Sequence, residues 1–593
     1  MEYQGSKPAQ PTSEVVTTTH GEDAPHDLDR AASWLSAFAA DHGRPLRVLH
    51  VGNIANNAYL NAKFLRSIGV DAHVLCYDYD HVMATPEWEE IEISQSHHSD
   101  FWPVFSYKDR RNYTRPKWFI SGPLDLCLFR IDYLNEESEK LPLIYKFKSF
   151  CANNIEYIGK NIFGLRICRI MQRSIFAPTQ YLWKIFPPFF FRLILICAHL
   201  VKDIFFKAIS RIVRLIVQLM SYLLTIFNID TSKMKFYVKT LIGILFGFSS
   251  VAQFVVRERW ANRDHESVDA PQIIRMFDAV FPHRRDRLTK LDVVMCSGGH
   301  EIFRNIFRHY DIVQCYATDP IWALVCEKRP FVAFEHGTLR DFTTGDDPKH
   351  RMNALAYRAA DHTFVTNGDC LAYAQRLGIE SFSPITHPLD VDQHRRNFGT
   401  AISGLRSEIG GDVILFCPVR HDWQVKGTDV HLRALPLIKA RVNARIKIVL
   451  IRWGSQIEES ESLLQNLGCA EDAIWKPSMC RIAMIKHIQA ADIVLDQMAL
   501  PHFGATAPQA MAAGTPVVSS YVPESTLWII PEPAPIIPAF TPEDVADAVV
   551  TALDRDWLET YKTRARRWID TYHHPNNVIR DHIAVYQSVL QNT

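Results

Sequence analysis

A chain of 593 residues, 47% hydrophobic and 22% charged, is long enough for two or more domains and has the apolar content of a globular protein. Lys+Arg and Asp+Glu both number 65, and this zero net charge excludes bulk electrostatic binding to nucleic acid. The 12 cysteines, among them Cys76, Cys168, Cys296, Cys417 and Cys480, form no CxxC pair and no metal-ligand spacing, so they read as reduced thiols of a cytosolic protein.

Residues 1–25 are polar, rich in Pro, Ser, Thr and Asp, and show no signal-peptide pattern; 1–44 are expected to form an extension, disordered or helical. Arg47 to Val51 reads as a buried strand with Gly52 turning the chain after it. Asn56 or Asn57 is expected to cap a helix whose stripe is Ala58, Ala62, Leu65 and Ile68, and Gly69 to end it. Ala72 to Cys76 supplies the next strand, which makes a βαβ unit and hence a parallel sheet. No GxGxxG follows the first strand, so this is not a dinucleotide fingerprint. Leu126 to Ile131, Val293 to Met295, Ile312 to Cys315, Phe331 to Phe334 and Thr363 to Val365 read as further strands of the same domain.

An insert over 163–256 interrupts this domain. It is dense in Phe, Ile and Leu, and its 12 Lys/Arg face only two acids, Asp203 and Asp230. No apolar run reaches the roughly 18 residues of a spanning helix. Lys207, Arg211, Arg214 and Gln218 line one helical face, while Phe205, Ile209, Ile212 and Ile216 fall on the rest. That pattern suits a helix lying in the headgroup region of an anionic membrane; a re-entrant or spanning hairpin and a soluble oligomer contact are the alternatives.

A second strand series runs through Val413 to Pro418, Ile446 to Ile451, Ile493 to Leu495 and Pro516 to Ser519. The expected class is therefore α/β, with two Rossmann-like doubly wound domains facing a cleft at the carboxyl ends of their strands. Between the last two strands, a loop closing on Phe503-Gly504 leads into a short helix through Gln509. Pro508 suits its first turn, and Gly514 suits a left-handed stop. A glycine at a helix mouth lets backbone N–H groups approach an anion, so the implied ligand is a phosphate or diphosphate.

Two segments here, FCPVRHDWQVKGTD (Phe416 to Asp429) and FGATAPQAMAAGTPVV (Phe503 to Val518), resemble the strand–Arg–loop–Lys-Gly and FG…EAMA.G.PVV segments of the group-1 (family-four-like) nucleotide-sugar-dependent glycosyltransferases of GT-B fold. HVGNIANNAYLNAKFLRSIGVDAHVL and FVAFEHGTLRD resemble that family's acceptor domain. The resemblance implies an acceptor-side domain over 45–162 and 257–395, a nucleotide-sugar domain over 396–567, and a C-terminal helix over 568–593 packing back on the first domain. It implies donor-phosphate contacts from Arg420 and Lys426, with Gly504, Ala505 and Thr506 adding backbone N–H groups, because the leaving diphosphate gains charge as the glycosidic bond breaks. Gly52, Asn53 and Arg340 fall on the acceptor side. His336 and Asp319 are the catalytic candidates, Asp319 standing in the segment (Tyr316 to Pro320) where the family places a histidine.

Two departures stand out. The family's paired glutamates fall on Pro501 and Gln509; Gln509 can still hydrogen-bond ribose hydroxyls, but without charge, and Asp496 is the nearby carboxylate that could substitute. The implied activity is transfer of a hexosyl group, with retention, from a nucleotide sugar to a lipid-linked or growing glycan, in surface-polysaccharide or glycoconjugate synthesis. No cofactor or metal is expected, since no DxD-type pair lies in a fitting loop. The expected location is the cytoplasmic face of the inner or plasma membrane, peripheral or monotopic. A non-catalytic nucleotide-sugar or glycan-binding subunit and a GT-B-fold epimerase are the competing readings.

Overall fold

The computed structural model describes residues 24–77, 81–93, 105, 107–135, 268–342 and 345–592. The insert expected over 163–256 lies outside the described residues, as do the first 23 positions.

Two wholly parallel sheets organise the described chain. The first has seven strands: β1 (Arg47–Val51), β2 (Asp71–Tyr77), β3 (Phe119–Gly122), β4 (Ile312–Tyr316), β5 (Phe331–Phe334), β6 (His362–Val365) and β7 (Phe382–Pro384), in the order β3-β2-β1-β4-β5-β6-β7. The second has six: β8 (Val413–Cys417), β9 (Ile446–Ile451), β10 (Ala473–Lys476), β11 (Ile493–Leu495), β12 (Val517–Ser519) and β13 (Ile537–Pro538), in the order β10-β9-β8-β11-β12-β13. This is the expected pair of doubly wound α/β domains. The strands are near-continuous apolar runs because helices cover both faces: all of VILFC in β8 is buried, and in β1 only Arg47 reaches solvent. In each sheet the order reverses once, between β1 and β4 and between β8 and β11, and a crevice opens there at the carboxyl ends.

The helices that matter below are α1 (Ala24–His42), α2 (Asn57–Ser67), α3 (Pro86–Glu90), α4 (Leu124–Asn135), α5 (Lys290–Cys296), α6 (Val391–Arg395), α7 (Arg481–Ala490), α8 (Thr506–Ala513), α9 (Arg555–Tyr572) and α10 (Pro575–Gln591). Two expected strands are helices: Leu126 to Ile131 lies in α4 and Val293 to Met295 in α5. A short apolar run has no period of its own, so neighbours decide. For α5 they form a capping box, in which Thr289 and Asp292 each accept from the other's backbone N–H. The cap of α2 also differs from expectation. Asn56 stands at the N-cap position, as expected, but its side chain makes no capping bond; Asn53 Oδ1 accepts from Tyr59 N at 3.0 Å instead. β3, β7, β10 and β13 were not foreseen; each is two to four residues long.

Val578, Ile579, Ile583, Tyr586 and Val589 of α10 share one core cluster with Val48, Val74 and Phe334 of the first sheet and Leu35 of α1. The two sheet domains meet directly. Val82, Trp88, Ile93 and Phe105 join the core of the second domain beside Phe416, Met479 and Tyr521. Ile93 N donates to Cys480 Sγ at 3.4 Å, and Trp528 Nε1 donates to Gly368 O at 2.6 Å. Gly368 allows that second contact: a Cβ there would stand 1.7 Å from Ser525 O.

Candidate functional site

In the second domain, the chain leaves β8 into Pro418 and Arg420, and a single helical turn, Trp423–Lys426, follows. Asp422 caps it by accepting from Val425 N, and Gly427 ends it at φ +65. A side chain at Gly427 would press on Met498 backbone at about 3.0 Å, so this glycine lets the Lys426 turn sit on the loop after β11. Lys426 Nζ donates to Gln497 Oε1 at 2.7 Å, and Gln497 in turn donates to His502 O. Burial pulls the Lys426 ammonium below its ordinary value; Asp496 opposes this, while Arg420 and Arg340 add to it. Arg420, whose side chain is 43% exposed, lies 3.5 Å from Asp422.

Asp496, at the end of β11, is 2% exposed and accepts from Gly504 N at 2.8 Å. The N–H of Gly504 thus points at a carboxylate rather than standing open to an anion. Its glycine character has a local cause, since a Cβ would lie 3.0 Å from Asp496 Oδ1. Ala505 and Thr506 remain as the amides at the mouth of α8. Desolvation raises the Asp496 carboxyl, and Lys426 and the Gly504 amide counter it. Gln509 is engaged at both ends: its Nε2 donates to Ala505 O at 2.9 Å, and its Oε1 accepts from Arg481 at 2.5 Å.

In the first domain, β5 runs into Glu335, His336 and Gly337. Glu335 is fully buried and accepts from Asn367 Nδ2 (2.9 Å), Thr366 Oγ1 (3.2 Å), Cys370 Sγ (3.3 Å) and the Gly337 amide. Arg340 forms a bidentate pair with Asp369 at 2.6 Å on each nitrogen, and Gly337, at φ +87, makes room for that guanidinium. His502 reaches over from the second domain to 4.0 Å from Asp369. Arg340, Lys426, Arg420 and His502 therefore converge from both domains, with Asp369 and Asp496 beside them.

His336 stacks on His387 with ring centroids 5.6 Å apart, and its Nδ1 lies 3.4 Å from Asn57 Nδ2. Its Nε2 is buried without a partner among the described residues, and burial lowers the imidazole to about 4, so the ring is neutral at pH 7. Asp319 follows β4 and is held by Tyr77 Oη, which donates at 2.7 Å. Gly52 faces it so closely that a Cβ would meet Oδ2 at 2.3 Å. Desolvation lifts the Asp319 carboxyl to about 7. Asn53 is drawn inward: its Nδ2 donates to Asn56 Oδ1 and Ala84 O, both at 2.9 Å, and its Oδ1 caps α2.

The structure thus joins Gly52 to Asp319, and Arg340 to Lys426 and Arg420, but ties Asn53 and Gln509 into the scaffold. It also brings in Glu335, Asp369, His502 and Arg481, which the sequence reading did not single out. Of these only Glu335 carried a local signal, an acid standing directly before His336 at a strand end. Among the described residues no group of three or more His, Cys, Asp or Glu side chains could hold a metal ion, and no helix is long and apolar enough to cross a membrane.

Residues 411–555 match the family model described as glycosyl transferases group 1. An uncharacterized glycosyltransferase of Methanocaldococcus jannaschii is 27% identical over 177 residues, which cover 28% of this chain and 43% of that protein. A D-inositol 3-phosphate glycosyltransferase of Jonesia denitrificans is 26% identical over 222 residues, 36% of this chain and 50% of that protein. The match thus spans half or less of the length of these curated relatives. Among solved structures, Anabaena HepE in complex with UDP and glucose aligns with a TM-score of 0.39 at 18% identity, covering 49% of this chain and 81% of that one.

Proposed function

Because residues 411–555 belong to the group 1 glycosyltransferases, we propose that the whole chain moves a hexosyl group from a nucleotide-sugar donor onto a lipid-linked or growing glycan, with retention of configuration. The observation that carries the reading is the convergence of Lys426 and Arg420 with Arg340 and His502 across the domain boundary. A glycosyl donor releases a nucleoside diphosphate, and fixed cations in a dry site stabilise the charge that develops on its oxygen without reorganising. Lys426, whose Nζ is oriented by Gln497, and Arg420 would hold the diphosphate from one side, with Ala505 and Thr506 amides at the helix mouth. Those cations do the work a divalent ion does in other transferases, so the reading needs no metal. On the facing side, the carboxyl of Asp319, lifted to about 7, is able to exchange a proton with an acceptor hydroxyl around pH 7, while the neutral ring of His336 offers such a hydroxyl a hydrogen-bond partner.

The apolar, basic segment 163–256 supports a lipid-anchored acceptor met at the cytoplasmic face of a membrane, and hence a place in surface-polysaccharide or glycoconjugate synthesis. Both donor and transfer are tested with the full chain by a thermal-shift panel of UDP-, GDP-, ADP- and CDP-sugars, followed by transfer of labelled sugar into membrane extract. One donor should raise the melting temperature and label a lipid or glycan fraction. A donor that binds yet is never consumed would support the non-catalytic reading, which the loss of the acids at Pro501 and Gln509 favours. If no donor shifts the melt, the proposal fails.

A further inference from the structure

A second polar group bridges the two sheet domains, one helical turn beyond the mouth of α8. Glu89 of α3, in the first domain, is 3% exposed and accepts from Arg481 Nε at 3.0 Å. Arg481, at the start of α7, donates from another nitrogen to Gln509 Oε1 on α8 at 2.5 Å. Gln393 of α6 closes on the same carboxylate residue, donating from Nε2 to Glu89 O at 3.1 Å. The neighbouring His394 donates to Asp390 O at 2.8 Å and lies near enough for the Arg481 charge to act on it.

Each of these three side chains keeps one buried atom without a partner among the described residues: Glu89 Oε2, Gln393 Oε1 and His394 Nε2. Chemistry gives all three the same polarity. The second carboxylate oxygen only accepts, the Gln393 amide is oriented by its donated bond, and a neutral imidazole that donates through Nδ1 accepts through Nε2. Buried acceptors left unmet are costly and uncommon, and three around one arginine call for a hydrogen-bond donor that arrives from outside. An anion does not qualify, since it would bring only more acceptors. A polyhydroxylated group does. Its place is also set: Gln509 follows Thr506 by one turn, about 5 Å along the helix, which is where a group attached to phosphates at the helix mouth would lie.

Resting on the donor-site reading above, we propose that Glu89 is a specificity-determining residue whose free Oε2, with Gln393 Oε1 and His394 Nε2, receives hydroxyls of the group adjoining the donor's phosphates, either the ribose or the transferred sugar. The carboxylate at this end of the donor would then come from the first domain, with Arg481 and the uncharged Gln509 holding it in place. A glutamate at 509 would instead draw the Arg481 charge to its own domain.

Titration calorimetry on the full chain decides it. The nucleoside diphosphate of the donor selected by thermal shift is compared with its 2′-deoxy and 3′-deoxy forms and with the nucleotide sugar, for wild type and Glu89→Gln. Gln keeps the Arg481 contact but puts an NH2 where the free oxygen stood. If ribose is the guest, wild type prefers the ribonucleotide to a deoxy form by about tenfold or more, and Glu89→Gln falls below about twofold. If the sugar is the guest, Glu89→Gln binds the diphosphate as wild type does but the nucleotide sugar about tenfold more weakly. Glu89→Asp, which keeps the charge and withdraws the oxygen by one methylene, should show the same loss even if Glu89→Gln melts lower. Identical selectivity in wild type and both variants overturns the proposal and leaves these atoms to water. Should wild type bind no nucleoside diphosphate or nucleotide sugar at all, the donor-site reading falls first and this inference with it.

Discussion

The two sheet domains set an aspartate against a glycine at corresponding places. In the first, Asp319 follows β4 and faces Gly52 at the end of β1; in the second, Asp496 follows β11 and faces Gly504. Their partners differ. Asp319 receives a hydroxyl from Tyr77, and desolvation lifts its carboxyl to about 7 against the weaker pull of that bond and of Lys349. Asp496 receives a backbone N–H and lies beside Lys426, which favours the charged form and limits the rise. On the proposed function, one constellation, a carboxylate sunk at a sheet's switch point, serves as a proton-exchanging group on one side and a counter-charge for a cation on the other.

Replacing the two glycines separates the sites most sharply. Gly52→Ala must hold φ near +89 and also push its methyl into Asp319, so a stability loss of about 3 kcal/mol is expected in denaturant unfolding. Gly504→Ala has an ordinary φ and presses on Asp496 at 3.0 Å, for a loss of about 1–2 kcal/mol. Equal losses would mean the two contacts are not distinct. Next, Lys426→Ala and Arg420→Ala should each lower donor binding and turnover about 10²-fold with little change in melting, and Asp319→Asn should leave donor affinity unchanged. If Asp319→Asn weakens the donor as much as Lys426→Ala does, the division of roles is wrong.

The legibility of the sequence follows the same division. β1, β9 and β11 were readable to the residue because each is an apolar run between turn signals. Arg420 and Lys426 could be singled out because they sit in one short stretch of chain, whereas the Gly504 amide, read as open to an anion, is turned onto Asp496. Asp369, His502 and Glu89 were not readable. Each acquires its role only from a residue on the other domain or on a distant loop, as Glu89 does from Arg481 almost four hundred positions later. The helices α4 and α5 failed for a different reason: apolar runs of three to six residues, such as Val293 to Met295 and Leu126 to Ile131, fit a buried strand and a buried helix equally well, and β13, two residues long, offers no run at all.

The pH test sharpens the comparison further. A carboxyl whose folded value is raised to about 7 from an ordinary 3.8 binds its proton more tightly in the folded chain. Its stabilising contribution is therefore present below about pH 4 and is lost as pH rises to 7 and beyond. Asp319→Asn carries no titrating proton, so the wild-type melting temperature should fall relative to this variant between pH 5 and pH 8. Parallel curves would place the Asp319 carboxyl back in its ordinary range. The buried rings of His336, His573 and His582, each lowered to about 4, act in the opposite sense: protonation of the unfolded chain lowers stability as pH falls from about 6.5 towards 4. They are present in both proteins and cancel in the difference. The smallest effect belongs to the rim of the domain contact. Lys486 pairs with Glu92 at 2.7 Å, but the acid is 57% exposed, so Lys486→Ala should cost about 0.5 kcal/mol or less and vanish at high salt.

The place of α10 sets a timetable for synthesis. Val48 and Val74 share their core with Val578, Ile583 and Tyr586, which leave the ribosome only after the whole second sheet has been made. The first sheet therefore waits with an apolar face uncovered while the whole second domain is translated and folded, and it closes only on α10. During that interval the nascent chain offers a chaperone one defined sticky surface, and a premature stop after β13 but before residue 578 yields a product with both sheets encoded and one of them unsealed.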